Sequence, residues 1–279
     1  HTKMGAIGFQ FNYTTDNDWQ ITNNFRFQDN KTDINSSIPV GVGGYVPGVD
    51  YTYLDGSPAV YGANDYNVTT VAINWKNKDK QYINNLDFKK KVNNHSLGMG
   101  LGIHQHNVNN SPYDTFLFFQ ELKENPRRLL IPAFGVVGNG VIPLSTSLNI
   151  ADTRILSSYI TDEIALSDKY RLDLGFRLDN HTIDGKRPYY GVDSDGNPDP
   201  SVPASMTIAG TTDYSFSNTN WAFSAGLNDK ISENAAMFAR LTRAYNTPNF
   251  TDYGVQVFNP ASIKKRPVYL AEIGYKYAK

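Results

Sequence analysis

Between Tyr170 and Asn180 the chain reads YRLDLGFRLDN, and alternate positions there belong to different solvents. Tyr170, Leu172, Leu174, Phe176 and Leu178 fall on one face, and Arg171, Asp173, Gly175, Arg177 and Asp179 on the other. A helix recurs every ~3.6 residues and would mix the two sets, whereas a strand separates them with a period of two. Ile7, Phe9, Phe11 and Tyr13 repeat the pattern, as do Trp19, Ile21, Phe25 and Phe27. It returns at Leu97–Ile103, Trp221–Leu227 and Tyr269–Tyr277, with noisier versions over 82–92, 154–165 and 235–243. Nine strands are predicted.

The connections alternate in length. Short polar turns fall at Thr14–Asp18, Asn93–His95, Leu166–Lys169 and Ser232–Asn234. Long segments fall near 30–80, 107–153, 182–217 and 244–267. Short turns at one end and long loops at the other are the layout of an outer-membrane barrel. A soluble sandwich has turns every ~8–12 residues without that asymmetry. A strand of about 10 residues, tilted by ~40°, crosses roughly 25 Å, the height of a barrel's apolar band. Tyr13, Trp19, Tyr170, Trp221 and Tyr277 lie near strand ends, where amphipathic rings suit the headgroup level or ordinary packing. The short turns are expected to face the periplasm, so the first strand runs inward and the second outward. The strand-like TTVAINWK at 69–76 would break this parity as a separate strand and is assigned to a long external loop.

Composition agrees. Mean hydropathy is −0.45, yet a barrel turns only alternate residues to lipid. The most apolar stretch, Leu129–Leu144, is interrupted by Pro132, Gly135, Gly138, Gly140 and Pro143. It falls short of the ~18 unbroken apolar residues a membrane helix needs. A net charge of −1 gives no basic field for nucleic acid, so no nucleic-acid partner is expected. Cysteine is absent, which excludes disulfides and thiol chemistry. His1-Thr2-Lys3-Met4-Gly5 is no signal peptide, which reads as a mature or excised chain.

Three stretches resemble the barrel of a TonB-dependent receptor. SSYITDEIALSDKYRLDLGFRLDN, 157–180, is similar to the family's strand–turn–strand ending in LxLGxRxD, matched by Leu172, Leu174, Gly175, Arg177 and Asp179. NWAFSAGLNDKISENAAMFARLTRAYNTPNF, 220–250, resembles its FARxxRAYxxPxF hairpin, through Gly226, Asn234, Phe238, Ala239, Arg240, Arg243 and Pro248; Asp229 replaces the usual aromatic. KRPVYLAEIGYKY, 265–277, is similar to a third strand through Pro267, Glu272, Gly274 and Lys276, with Val268 in place of the family's glutamate. KKKVNNHSLGMGLGIH, 89–104, resembles a hairpin of Bacteroidetes-type members.

The resemblance implies an all-β, transmembrane, antiparallel up-and-down barrel in the bacterial outer membrane. The whole chain, 1–279, would be part of one barrel domain: about nine strands out of about 22. It implies active import of a scarce, bulky ligand: a siderophore, haem, cobalamin or glycan. The TonB-ExbB-ExbD complex would act through a plug absent from this chain. Membrane lipids and a surface lipoprotein are further implied partners. No cofactor is expected. A passive porin and a soluble glycan-binding β-sandwich are the alternatives.

Candidate binding residues lie in or beside the long loops, since loops on rigid scaffolds carry function. Tyr45, Tyr51, Tyr53, Tyr61 and Tyr66 offer low-entropy contact area suited to sugars and catecholates, or else pack on one another. His104 and His106 share one strand face, a spacing that can bind metal but more often marks hydrated lumen residues; no metal site is assigned. Arg127 and Arg128 could meet an anionic ligand bidentately or pair with Glu121 or Glu124. VDSDGNPDP, 192–200, is rich in oxygen ligands but lacks the downstream glutamate of a calcium loop, and Asp-Gly and Asn-Pro are ordinary turn chemistry. Arg171, Arg177, Arg240, Asp173 and Asp179 are read as lumen-facing structural ladders. No GxSxG, HExxH or P-loop occurs, so the chain is not read as an enzyme.

Overall fold

The computed structural model describes residues 1–247 and 266–278. Its strands are β1 (Thr2–Thr14), β2 (Gln20–Gly44), β3 (Thr52–Tyr53), β4 (Tyr66–Val92), β5 (His95–Glu121), β6 (Arg128–Leu130), β7 (Ile142–Ala165), β8 (Tyr170–Tyr189), β9 (Gly210–Lys230), β10 (Ala235–Asn246) and β11 (Arg266–Tyr277). The nine long ones form one sheet in the order β1-β2-β4-β5-β7-β8-β9-β10-β11, each antiparallel to its neighbour. This is the expected up-and-down meander.

The tight turns lie where the alternation stops. Asp18 (φ 60°) and Asn93 (φ 54°) take the left-handed conformation there. Asp and Asn tolerate it because their short side chains bond locally.

The long connections are shorter than the sequence pattern suggests. β2 runs for 25 residues, and β4 and β5 for 27 each. The segment read as a loop near 30–80 is therefore strand up to Gly44 and again from Tyr66, leaving 45–65 as the connection. Likewise 107–153 shrinks to 122–141, and 182–217 to 190–209. Residues 69–76 are neither loop nor a separate strand, but the outer half of β4, so the parity holds. Val71, Ile73 and Trp75 alternate there, but the run KNKDKQ at 76–81 is polar on both faces and hides the continuity with the inner half of the strand. Of the connection expected at 244–267, residues 248–265 lie outside the described residues.

Cross-strand register carries the alternation across the whole sheet. One face aligns Ile7 with Phe27, Phe27 with Tyr82, Phe88 with Met99, Met99 with Ile160 and Ile160 with Phe176. The row continues through Phe176 with Phe223 and Leu241 with Ala225. Phe9, Leu101, Ile160, Phe223, Leu241 and Ile273 on this face are all exposed. The substantial contacts between strands are those of neighbours within the sheet, so no second sheet covers these rings among the described residues. That is the condition of a face turned to lipid and not of a sandwich half.

The apolar run ends at a common level: Ile7 gives way to Gly5, Phe27 to Asp29, Tyr82 to Lys80, Ile103 to Gln105, Leu178 to Asn180 and Trp221 to Thr219. From Trp221 to the turn after Lys230 the chain rises about 23 Å at ~3.3 Å per residue and ~40° tilt, close to the expected band height. Arg243 marks the upper limit, its guanidinium 3.4 Å from the Trp221 ring centre. Such a cation keeps its head at the water side while its stem covers apolar surface.

Polar groups inside the band pair with each other. Asn23 Nδ2 donates to Asn84 Oδ1 (2.9 Å) and to the Asn85 carbonyl (3.2 Å). Asp162 Oδ2 lies 2.7 Å from His95 Nδ1. An unpaired amide in hydrocarbon is costly. Asn23→Leu alone is therefore expected to cost about 1–3 kcal/mol by stranding Asn84. Asn23→Leu/Asn84→Leu should recover most of that in urea titrations of the inserted protein.

On the other face, aromatic side chains lie over glycines directly across the ladder. Tyr159 covers Gly100, Tyr214 covers Gly185, Tyr189 covers Gly210 and Phe238 covers Gly274. Tyr159 crosses β5 over Gly100 and donates to Asp87 on β4, tying three strands together.

Candidate functional site

Beyond the band, β2, β4 and β5 carry the two ordered connections far from the short turns. β3 pairs with β6, and β6 pairs with the end of β5 at Phe119 and Gln120. This small three-stranded patch lets the connections share a core of Tyr51, Tyr53, Leu129, Ile131 and Val136. A single 3-10 turn at Pro132–Phe134 ends on Gly135 at φ 76°. Non-glycine residues rarely adopt that conformation, so glycine fits there.

Most of the candidate tyrosines lie in or against this core. Tyr45, Tyr51 and Tyr61 form a ring cluster, with centroids 4.5 Å apart for Tyr51–Tyr61 and 5.8 Å for Tyr45–Tyr51. The Val46 N–H donates to the Tyr51 hydroxyl (3.1 Å), and Asn67 donates to the Tyr61 hydroxyl (2.9 Å). Tyr51 and Tyr53 are buried, which leaves their rings no ligand-facing surface in this conformation. Tyr66, at the mouth of β4, is 56% exposed.

Glu121 organises the charges. It is 3% exposed, accepts from the Tyr53 hydroxyl (2.7 Å) and the Arg127 N–H (3.1 Å), and meets Lys123 Nζ at 2.5 Å. Arg127 lies 3.4 Å from the Tyr53 ring centre and reaches Asp55 at 2.8 Å, while Arg128 stacks on Phe118 at 4.3 Å. Both arginines thus have partners: Arg127 bonds Glu121 through its backbone N–H and sends its guanidinium to Asp55, and Arg128 lies over Phe118 of β5. The exposed apolar residues of these connections include Val46, Leu54, Val60, Phe134 and Val137.

Burial pushes the Glu121 carboxyl up, but the Lys123 ammonium, the Tyr53 hydroxyl and the Arg127 N–H together outweigh it and hold it below its ordinary 4.5. A depressed carboxylate contributes stability above its unfolded pKa and loses it as pH falls through the folded value. The loop core is therefore expected to loosen only below pH ~4.5, seen as faster hydrogen exchange at residues 51–53 and 128–131. Glu121→Gln should loosen it at neutral pH by about 1–3 kcal/mol, because Lys123 loses its counter-charge and Tyr53 and Arg127 lose a charged acceptor.

The inner face holds His104, His106 and His181. His106 Nε2 lies 3.2 Å from Asp79 Oδ2, and the buried Asp79 also accepts from Asn30 (2.9 Å), Asn77 (2.8 Å) and Gln81 (3.3 Å). His104 faces Ile155 across the ladder, and Ile155 faces His181. His104 Nε2 and His181 Nδ1 are buried without a hydrogen-bond partner among the described residues. No group of three or more metal-ligating side chains is brought together among the described residues. Asp79 went unmarked in the sequence, although the two-residue turn at Asn93-Asn94 fixes the register that brings it beside His106. The charge ladders run along strands: Arg171 meets Asp173 at 3.1 Å and Arg177 meets Asp179 at 2.9 Å. Near the short turns Arg171 and Asp173 line a cavity of about 710 Å³ with Gln20, Lys89, Lys91 and Arg240. This concavity lies at the opposite end of the sheet from the tyrosine loops. In segment 192–200, Asp193 Oδ1 accepts the N–H of Asp195 (3.0 Å) and Asn197 (2.9 Å), closing a turn at Gly196 (φ 83°).

The model of the family described as TonB dependent receptor-like, beta-barrel, matches residues 1–278. No curated protein matches the sequence. Among solved structures, the copper transporter OprC is similar at 11% identity and a TM-score of 0.52, over 100% of this chain and 43% of that one. The closed form of the ferric-catecholate import receptor Fiu from E. coli K12 shares 13% identity at a TM-score of 0.42, over 99% of this chain and 49% of that one. The ferric yersiniabactin uptake receptor FyuA from Yersinia pestis shares 10% at 0.38, over 100% and 43%. The chain thus spans less than half the length of each of these structures.

Proposed function

We propose, because this chain belongs to the TonB-dependent receptor β-barrel family, that it forms part of the barrel wall of an outer-membrane importer. The observation that carries this reading is the family match over 1–278 on a sheet whose apolar rows are exposed and covered by no second sheet among the described residues. The described sheet is open, since β1 and β11 do not pair with each other. Unpaired edges cannot face hydrocarbon, so further strands are expected to close it, as in barrels of about 22 strands. The wet inner face, with its charge ladders and unpartnered histidines, would then hold a plug moved by the TonB-ExbB-ExbD complex. The loop crown would capture the ligand, with Tyr66 and the exposed loop residues Val60 and Phe134 as the contact surface. A scarce, bulky compound such as a siderophore, haem, cobalamin or a glycan fits that role.

The test is uptake. A strain lacking the protein is supplied with a panel of ferric siderophores, haem, cobalamin and oligosaccharides. One class should enter only when the protein is present and the inner membrane is energised. Energy-independent uptake with steady conductance in planar bilayers would instead identify a passive porin.

A further inference from the structure

Above the apolar band the lipid-facing side of β1, β2 and β4 carries five exposed lysines: Lys3, Lys31, Lys76, Lys78 and Lys80. Lys3 faces Lys31 directly across one ladder, and Lys31 faces Lys78 across the next. Three like charges thus stand in one row on three adjacent strands. Directly opposed like charges destabilise a sheet. Asp29 faces Lys80 and Asp33 faces Lys76, so these two acids leave the row itself without a counter-charge. None of the five lysines lies within salt-bridge distance of a carboxylate among the described residues. On β7, β8 and β9 the same side is balanced, with Arg154 and Lys186 beside Asp152, Asp184 and Asp213, and Lys186 is paired to Asp213 at 3.0 Å.

The height of the row identifies its partner. Lys31 and Lys78 lie four residues beyond Phe27 and Tyr82, the last rings of the band on their strands. That is roughly 10 Å up at ~3.3 Å per residue and ~40° tilt. The row thus stands just above the headgroups, which extend some 5–7 Å beyond the hydrocarbon on each side, and the long lysine side chains reach down to them. Lysines near an anionic surface are attracted to it electrostatically, and their contributions accumulate along a row. We propose that Lys3, Lys31 and Lys78 form a docking row for the phosphate groups of the anionic lipid in the outer leaflet, anchoring this sector of the wall to the membrane surface. The inference rests on the outer-membrane reading above.

The intact protein, and its Lys3→Gln/Lys31→Gln/Lys78→Gln variant, would be inserted into phosphatidylcholine vesicles with and without bisphosphorylated lipid A. Heat-modifiable gel mobility confirms that each is folded. The wild type should retain lipid A at least tenfold more strongly by native mass spectrometry and melt at a higher temperature when lipid A is present. The triple variant should show neither effect, and Lys186→Gln should behave as the wild type. Inorganic phosphate added to plain vesicles should not reproduce the shift. Equal lipid A retention by the triple variant, or an equal shift with free phosphate, would overturn the docking row alone. Failure of the wild type to insert at all would overturn the barrel reading, and this inference with it.

Discussion

Leu101→Arg is expected to cost about 2–4 kcal/mol of barrel stability, the price of a cation near the bilayer midplane. Leu101 lies on the apolar face between Met99 and Ile103 and is 58% exposed. In a water-soluble sheet an arginine at a position this open would be nearly neutral. The comparison variant is Asn24→Lys, on the wet face of β2, which should change stability by less than about 0.5 kcal/mol. Urea titration of both in lipid vesicles, followed by tryptophan emission, checks the pair.

Gly100→Val should be at least as damaging, at about 3–5 kcal/mol, for a different reason. A side chain on Gly100 overlaps the Tyr159 ring. The ring must leave, which combines overpacking, worth ~1–3 kcal/mol, with loss of a hydrogen bond to a carboxylate, worth ~1.5–3 kcal/mol. Tyr159→Phe keeps the ring and loses only the hydroxyl donated to Asp87. It should cost only the second part. Gly100→Val/Tyr159→Ala should be less destabilised than the sum of its single variants, because the clash is gone. Non-additivity in folding titrations is the readout.

The strand pattern was legible wherever a solvent boundary ran along the chain. Each of the nine predicted strands has its counterpart, and the short turns follow from the end of the alternation. Legibility stopped where the contrast between faces stopped. The outer half of β2, read as loop, pairs with β4 from Asp33–Lys76 up to Gly44–Tyr66. Its residues 33–42 are exposed on both faces, so no contrast between the faces betrays it. Gly98, Gly100 and Gly102 were visible as a strand, but not as the cradle for Thr161, Tyr159 and Ser157, because that role depends on the next strand's register. The tyrosine loops were harder still. Their packing depends on β3 meeting β6, 76 residues away by the pairing of Thr52–Tyr53 with Leu129–Leu130 if counted from Tyr53 to Leu129. No local pattern encodes such a contact. The register row of Lys3, Lys31 and Lys78 likewise emerges only when three strands are aligned.

The chain contains no cysteine, so single cysteines can be placed one at a time along β8 from Arg171 to His181. The intact protein, spin-labelled at each and reconstituted in lipid, would be read for collision with oxygen and with a water-soluble nickel chelate. Positions 172, 174, 176 and 178 should favour oxygen, positions 171, 173, 175 and 177 should favour nickel, and both series should turn aqueous beyond 180. Uniform accessibility, or an alternation of the opposite phase, would contradict the assignment of the Leu and Phe rows to lipid.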